Sequence, residues 1–244
     1  MSGAKRIAVG ALVLGMAACA PTTPKSKAPV RVPVYDFKPP ETAAPGSANV
    51  TIAVINGRFA QSVPWATVYP FPQIATNLGS DFNEVLAARG INTRGPYRSY
   101  EEMTFPDKSG SDLILQPSLD FLVSIQAQPE EIFMLIGDNQ WKLKGSGTIS
   151  GRLDLALSES LSNERMWYKS IDVSSTSFTW KGEKRYKMAP GTADWTDPGL
   201  ANAVAAAMEP VYQQLMNSAW GYIVPEELAI VKKQAEVIKA KKVY

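Results

Sequence analysis

The densest run of side chains able to hold a ligand is Trp180 to Lys187, where Lys181, Lys184, Arg185 and Lys187 are interleaved with Trp180 and Tyr186. Guanidinium forks and ammonium groups suit carboxylate or phosphate oxygens, and an aromatic face suits a sugar ring. Trp180, Lys184, Arg185, Tyr186 and Lys187 are therefore the candidate ligand-binding residues, for a sialic acid carboxylate, the phosphates of lipopolysaccharide or an acidic partner. The competing reading is a solvated basic loop. The six tryptophans, Trp65, Trp141, Trp167, Trp180, Trp195 and Trp220, offer a carbohydrate platform or, equally in keeping with strands and amphipathic helices, core and rim.

Catalytic chemistry finds less to work with. The 244 residues contain no histidine, which removes Ser-His-Asp and Cys-His nucleophiles, the commonest zinc ligand and the commonest general base. Glu101-Glu102 and Glu130-Glu131 are adjacent in sequence, whereas a glycosidase needs two carboxylates facing each other across about 5 Å or more; they read as cap and turn residues. Gly145-Ser146-Gly147 with Gly151 misses the dinucleotide fingerprint by one residue, and a strand pattern follows where a helix is required. No lysine of the body has a serine three residues before it, so a Ser-x-x-Lys nucleophile is absent. The expectation is a protein that is not an enzyme, with no catalytic residue, metal site or cofactor.

The chain begins with Lys5 and Arg6, then an apolar run from Ile7 to Met16 that is too short to span a bilayer, then small residues. That order is a secretory signal rather than a transmembrane anchor. Ala17-Ala18-Cys19 resembles the lipobox of bacterial lipoproteins, in which the cysteine is acylated and becomes the new N-terminus; Met16 stands where leucine is commoner. A lone cysteine in an exported chain can form no internal disulfide, so lipid chemistry explains Cys19 better than a free thiol does. Two or three acyl chains, at about 0.8 kcal/mol per buried methylene, make such an attachment effectively permanent. In the lipoprotein families this resembles, a non-acidic residue such as Ala20 permits export to the outer membrane. Localisation at the bacterial outer membrane through an N-terminal lipid is thus expected.

Composition sets the frame for the body. An apolar content of 45% with 20% charge is globular, and a net charge of +2 is too close to neutral to imply nucleic acid. The division expected is a signal peptide at 1–18, the lipidated Cys19 and a Pro-rich linker at 19–48, and a single α/β domain at 49–244. Prolines at 21, 24, 29, 33, 39, 40 and 45 make the linker a semi-rigid spacer of about 3.1 Å per residue where extended. Val30 to Phe37, with alternating apolar residues, reads as a segment that could lie along a sheet edge.

Val50 to Ile55 reads as a buried strand. Ile74, Leu78, Phe82, Val85 and Leu86 recur at helical spacing and end at Arg89-Gly90, and Ile91 to Tyr97 follows as an edge strand at best because of Pro96. Strand, helix, strand predicts a βαβ-like opening. Ser99 with Glu102 predicts a capping box and one helical turn to Met103. Strands are then expected at Leu113–Leu115, Leu119–Ile125, Ile132–Ile136 and Trp141–Leu143. Ile149, Leu153, Leu155 and Leu157 share one face of a further strand, and a polar hairpin loop at Ser158–Glu164 leads into Met166–Val173. Another short strand begins at Phe178–Lys181. Asp197-Pro198 caps a helix that carries Leu200 to Ala219 through Pro210 as one kinked helix, with Gly221 beyond its end. A last helix runs from about Pro225 toward Lys242; the basic face that Lys232, Lys233, Lys239, Lys241 and Lys242 give it reads as touching anionic headgroups or as keeping the C-terminus soluble.

This order, with the helix ending in AARGI, the turn before SDLILQPSLDF, the hairpin GRLDLALSESLSNERMWYKSIDV, and an Ala-rich helix followed by a lysine-rich one, resembles the neuraminyllactose-binding haemagglutinin family of bacterial outer-membrane lipoproteins. The resemblance covers about Val50 to the C-terminus. It implies an α/β (α+β) body, a mostly antiparallel sheet with two to three helices packed on it, and binding of sialylated host glycans. In the family a basic segment near the middle is proposed to meet the sialic acid carboxylate; by order along the chain that region is Gln128 to Gln140 here, which contains Pro129-Glu130-Glu131 and no basic residue. Two functions remain in view: a lipid-anchored binding protein or adhesin for glycan or protein partners, and a periplasm-facing structural subunit of an envelope, flagellar or secretion assembly.

Overall fold

The computed structural model describes residues 32–132 and 140–241. The expected signal peptide, Cys19 and the first part of the Pro-rich segment lie outside these residues, as does most of the strand expected at Ile132–Ile136. The elements in order are β1 (Thr51–Ile55), β2 (Arg58–Phe59), a 3-10 turn at Pro64–Thr67, α1 (Phe71–Ala88), β3 (Asn92–Tyr97), α2 (Phe105–Ser109), β4 (Leu113–Ile132), β5 (Gln140–Glu159), β6 (Arg165–Lys181), α3 (Pro198–Tyr222) and α4 (Pro225–Lys241). Among the described residues these strands form one sheet in the order β3-β1-β4-β5-β6, with β2 added along β4.

The opening is the expected βαβ unit. β1 is parallel to β3 on one side and to β4 on the other, because α1 carries the chain back across the sheet between β1 and β3. Ile74, Leu78, Phe82, Val85 and Leu86 bury the inner stripe of α1. Gly90, at φ +75°, then takes the left-handed turn that releases the chain. From β4 onward the sheet is antiparallel. The segments read separately between Leu113 and Ile132 are one 20-residue strand that runs through Pro117 and Pro129. Trp141 to Leu157 likewise lie in one strand, β5, and Met166 to Lys181 in β6. Glu130 and Glu131, expected in a turn, lie in β4 because pairing with β5 continues past them.

One face of the sheet is covered by helices. Ile52 and Val54 of β1, Ile149, Leu153, Leu155 and Leu157 of β5, and Trp167, Ile171 and Val173 of β6 meet the buried faces of α1, α3 and α4 in a single core. Among the described residues the opposite face has its buried cluster near β1, where Ala53, Ile55 and Ile114 pack against Met103. Asp197 caps α3 as expected, its carboxylate accepting the Gly199 N–H at 2.8 Å, and α3 continues as one helix past both Pro210 and Gly221.

Two local expectations are corrected. No helical turn spans Ser99 to Met103; the capping box forms at Thr104 and Asp107, which exchange backbone N–H bonds of 3.0 and 3.3 Å with each other's side chains. Pro106 falls in the first turn of that helix, where its missing N–H costs nothing. Nor does the stretch up to Phe37 lie on a sheet edge. From Pro33 it crosses the helix layer as an extended strap: the Tyr35 hydroxyl donates to the Ala205 carbonyl at 2.8 Å, the Phe37 N–H donates to Asp81 at 2.8 Å, and the Asn77 amide donates to the Tyr35 carbonyl. Tyr35 and Phe37 are buried in the main core. The later part of the Pro-rich segment is therefore packed against the body instead of standing off as spacer.

Candidate functional site

The site is built by strand register. Side chains alternate between faces along each strand, and directly paired residues on neighbouring strands share a face. Gln126 pairs with Ser146 and Ser146 with Thr179; two residues on, Gln128 pairs with Lys144 and Lys144 with Lys181. These six residues flank Ala127, Gly145 and Trp180, which pair with one another and turn toward the helices, so all six lie on the opposite face. There they line a groove of about 510 Å³.

Glycines shape the strand beneath it. Gly145 and Gly147 sit opposite Trp180 and Phe178 on the inner face of β5. A Cβ at Gly145 would run into the Gln126 carbonyl oxygen and come within 3.0 Å of Trp180 Nε1. A Cβ at Gly147 would come within 2.5 Å of the Phe178 ring. The missing side chains let the two aromatic rings lie against bare backbone, as aromatic residues do over strand glycines. Trp180 is only 3% exposed, and its Nε1 has no hydrogen-bond partner among the described residues.

The groove presents two ammonium groups, two amides and two hydroxyls from short, register-locked positions. Lys144 Nζ is 2.8 Å from Glu130 Oε1, an exposed pair that an anionic ligand can exchange at little cost. Glu130 is held below the usual carboxylate range, first by the hydrogen bond from Lys144 and then by its charge. Donors in excess of acceptors suit a ligand rich in oxygen and negatively charged.

Of the residues singled out in the sequence, Trp180 and Lys181 reach this groove, Trp180 with its ring on the far side of the sheet. Lys184 and Tyr186 turn instead to an internal carboxylate: Lys184 Nζ lies 2.9 Å and the Tyr186 hydroxyl 3.0 Å from Asp194 Oδ2, and Lys184 also bonds Thr196. Tyr186 further pairs by backbone with Trp141, at 2.9 and 2.8 Å. Burial pulls Asp194 upward, but the hydrogen bonds from Lys184, Thr196 and Tyr186 outweigh it and hold the carboxyl well below its ordinary range. Burial first, and Asp194 second, push the Tyr186 phenol up to about 12. Arg185 reaches Gln140 Oε1 at 3.4 Å, and Lys187 is exposed. The structure thus brings Lys184 and Tyr186 together around Asp194 and leaves Arg185 and Lys187 on the outside of that staple. Trp65, Trp167 and Trp180 are buried, while Trp195 and Trp220 pack partly buried against the core.

Gln126, Gln128, Lys144, Ser146 and Thr179 were not singled out by sequence. The signal was there in the pairs Gln126-x-Gln128, Lys144-x-Ser146 and Thr179-x-Lys181, which are polar at period two; joining them needs the register of a three-strand meander. Among the described residues no group of three or more Asp, Glu, Cys or His gathers as a metal site, and no helix is long and apolar enough to cross a membrane.

Comparison with known proteins gives likeness of fold. No family model matches the chain, and no curated protein matches it. The structure of a neuraminyllactose-binding hemagglutinin homolog from Helicobacter pylori superposes with a TM-score of 0.55 at 15% identity, covering 82% of this chain and 98% of that one. A Xanthomonas campestris protein aligns at 16% identity over 85% of this chain and 95% of its own, with a TM-score of 0.34. A lipoprotein from Neisseria meningitidis aligns at 11% identity over 65% and 94%, with a TM-score of 0.23.

Proposed function

We propose that this chain is a lipid-anchored lipoprotein of the bacterial outer membrane, attached through Cys19, and that it acts as a binding protein for acidic glycans, not as an enzyme. The observation that carries the binding reading is the groove itself: Lys144 and Lys181 stand side by side on paired strands, flanked by the amides of Gln126 and Gln128 and the hydroxyls of Ser146 and Thr179. Two cations and a ring of neutral donors match a carboxylate on a polyhydroxyl ring. The family's missing basic segment is supplied here from the neighbouring strands β5 and β6. The fold shared with the Helicobacter pylori hemagglutinin homolog supports placing this chain in the same family.

Titration of the protein with sialyllactose and with lactose tests the reading. Sialyllactose should bind and lactose should bind at least about tenfold more weakly, the difference being the charge-assisted contacts to the two lysines. Lys144→Ala with Lys181→Ala should remove that preference. Equal binding of the two sugars, or no binding of either, defeats it. Mass spectrometry of the mature protein tests the anchor separately; a chain ending in an unmodified thiol, or cut beyond Cys19, removes it.

The helix-free face also carries Leu122 and Tyr168 exposed, at 69% and 45%. This favours a second reading, a subunit that docks by this face in an envelope assembly. Protease shaving of intact cells separates the two: digestion of the body supports an adhesin, protection supports the assembly.

A further inference from the structure

A second polar cavity lies at the other end of the helix-free face. Gln116 is ten residues along β4 from Gln126, about 34 Å at 3.4 Å per residue, so the cavity and the groove are separate sites. Its position follows from topology. β1 lies between two parallel neighbours, with β3 on one side and β4 on the other. The loops leaving the carboxyl ends of β1 and β3 part around a crevice, which in parallel sheets is the place where ligands are received.

Asn56 and Arg58 follow β1, Arg98 and Ser99 follow β3, Gln116 comes from β4, and Asn163 from the turn between β5 and β6; together they enclose about 170 Å³. At about 30 Å³ per water this is room for several waters, or for a phosphoryl group with part of what it esterifies. The wall is held rigid on three sides. The Gln116 amide donates to Asn163 Oδ1 at 2.6 Å, the Asn56 N–H donates to the Tyr97 carbonyl at 2.8 Å, and the Tyr100 hydroxyl donates to the Leu161 carbonyl at 2.6 Å.

The charge in the crevice is positive in balance: two arginines line it with one carboxylate. Among the described residues neither Arg58 nor Arg98, both lining this cavity, has a carboxylate within ion-pair distance. Glu101 is the acid on the rim; it is held below the usual carboxylate range first by the Ser99 hydroxyl, with Lys108 and Arg58 adding weaker pulls. We propose that this crevice is a binding site for a phosphate-bearing ligand, clasped between the guanidinium groups of Arg58 and Arg98. Two forks present more donors than one carboxylate has lone pairs to fill, whereas a dianionic phosphate with three terminal oxygens can engage both.

The site depends neither on Cys19 nor on the groove lysines, so its test is separate from theirs. The full chain carrying Cys19→Ala, so that no acyl chain is present, is titrated with inorganic phosphate and with acetate at matched ionic strength and followed by amide NMR. Phosphate should bind saturably with acetate at least tenfold weaker. Arg58→Gln and Arg98→Gln should each weaken phosphate about tenfold, read from the amide shifts of the residues that line the crevice. Both arginines are exposed, so the variants are expected to fold, and an unchanged amide spectrum away from the crevice checks this. Glucose 6-phosphate and vesicles containing phosphatidic acid then distinguish a soluble ester from a lipid headgroup; arginine-dependent binding of either supports the site. Phosphate binding no better than acetate, or undiminished in the double variant, overturns it.

Discussion

The hydroxyl of Tyr212 donates to Asp81 Oδ2 at 2.7 Å, and that same oxygen accepts the Phe37 N–H at 2.8 Å. One buried carboxylate therefore joins α3, α1 and the N-terminal strap. Tyr35 completes the joint, its ring edge-on to Tyr212 at 5.6 Å. Tyr212→Phe removes a hydrogen bond to a charged group and should cost about 1.5–3 kcal/mol. Asp81→Ala strands two buried donors, each worth about 1–3 kcal/mol, and should cost more. Urea denaturation of the two variants checks the order; a strap that contributes nothing to the fold would leave Asp81→Ala near the wild type.

The same carboxyl makes stability depend on pH in an unusual sense. Burial raises Asp81 from 3.8 to about 6, against the lowering effect of the Tyr212 and Phe37 hydrogen bonds. Between those values the folded protein holds a proton that the unfolded chain has released, so stability falls as pH rises. The contribution is complete below pH 3.8 and is lost as pH passes about 6. Asp81→Asn cannot titrate there. The difference in unfolding free energy between wild type and Asp81→Asn should therefore shift against the wild type from pH 4 to pH 7, and a difference independent of pH counts against this account.

Asp194 makes the opposite kind of joint, in which a carboxylate is held ionised by Lys184, Thr196 and Tyr186. The charge it keeps is felt by Tyr186, whose phenol is pushed up to about 12 by burial and by that neighbour. Asp194→Asn should bring the Tyr186 titration back toward 10.0 and loosen the loop between β6 and α3. Phenolate absorbance in an alkaline titration reads the first effect, and faster amide exchange at Tyr186 and Trp141, which share two backbone bonds, reads the second.

Much of the fold was legible because its signals are local. Helical spacing from Ile74 to Leu86, the Arg89-Gly90 stop, the Asp197-Pro198 start and the alternation from Ile149 to Leu157 each report a burial pattern that the structure repeats. What the sequence withheld depends on partners far along the chain. Tyr35 and Phe37 looked like a sheet edge because they alternate, yet their backbone partners are side chains of α1. Strand length was hidden by Pro117 and Pro129, which break a propensity pattern but not a ladder whose other positions are paired. The basic cluster was visible, but not that Asp194, ten residues from Lys184, would turn Lys184 and Tyr186 inward. Nor could six polar residues on three strands be seen as one groove before Gln128, Lys144 and Lys181 were known to stand in one row.

The glycines under that row give the last prediction. Ser146 points into the groove and Gly145 beside it points at the core, so the two positions separate binding from folding. Gly145→Ala places a methyl against the Gln126 carbonyl, a backbone atom that cannot swing aside, and crowds Trp180. Overpacking of this sort costs about 1–3 kcal/mol, and it should appear as a lowered denaturation midpoint together with weaker sialyllactose binding as β4 and β5 are forced apart. Ser146→Ala removes only a half-exposed hydroxyl, and its stability should stay within about 0.5 kcal/mol of wild type while sialyllactose binding alone weakens. A Gly145→Ala protein as stable as the wild type would show that β4 and β5 do not need this close approach, and the shape of the groove would then require another cause.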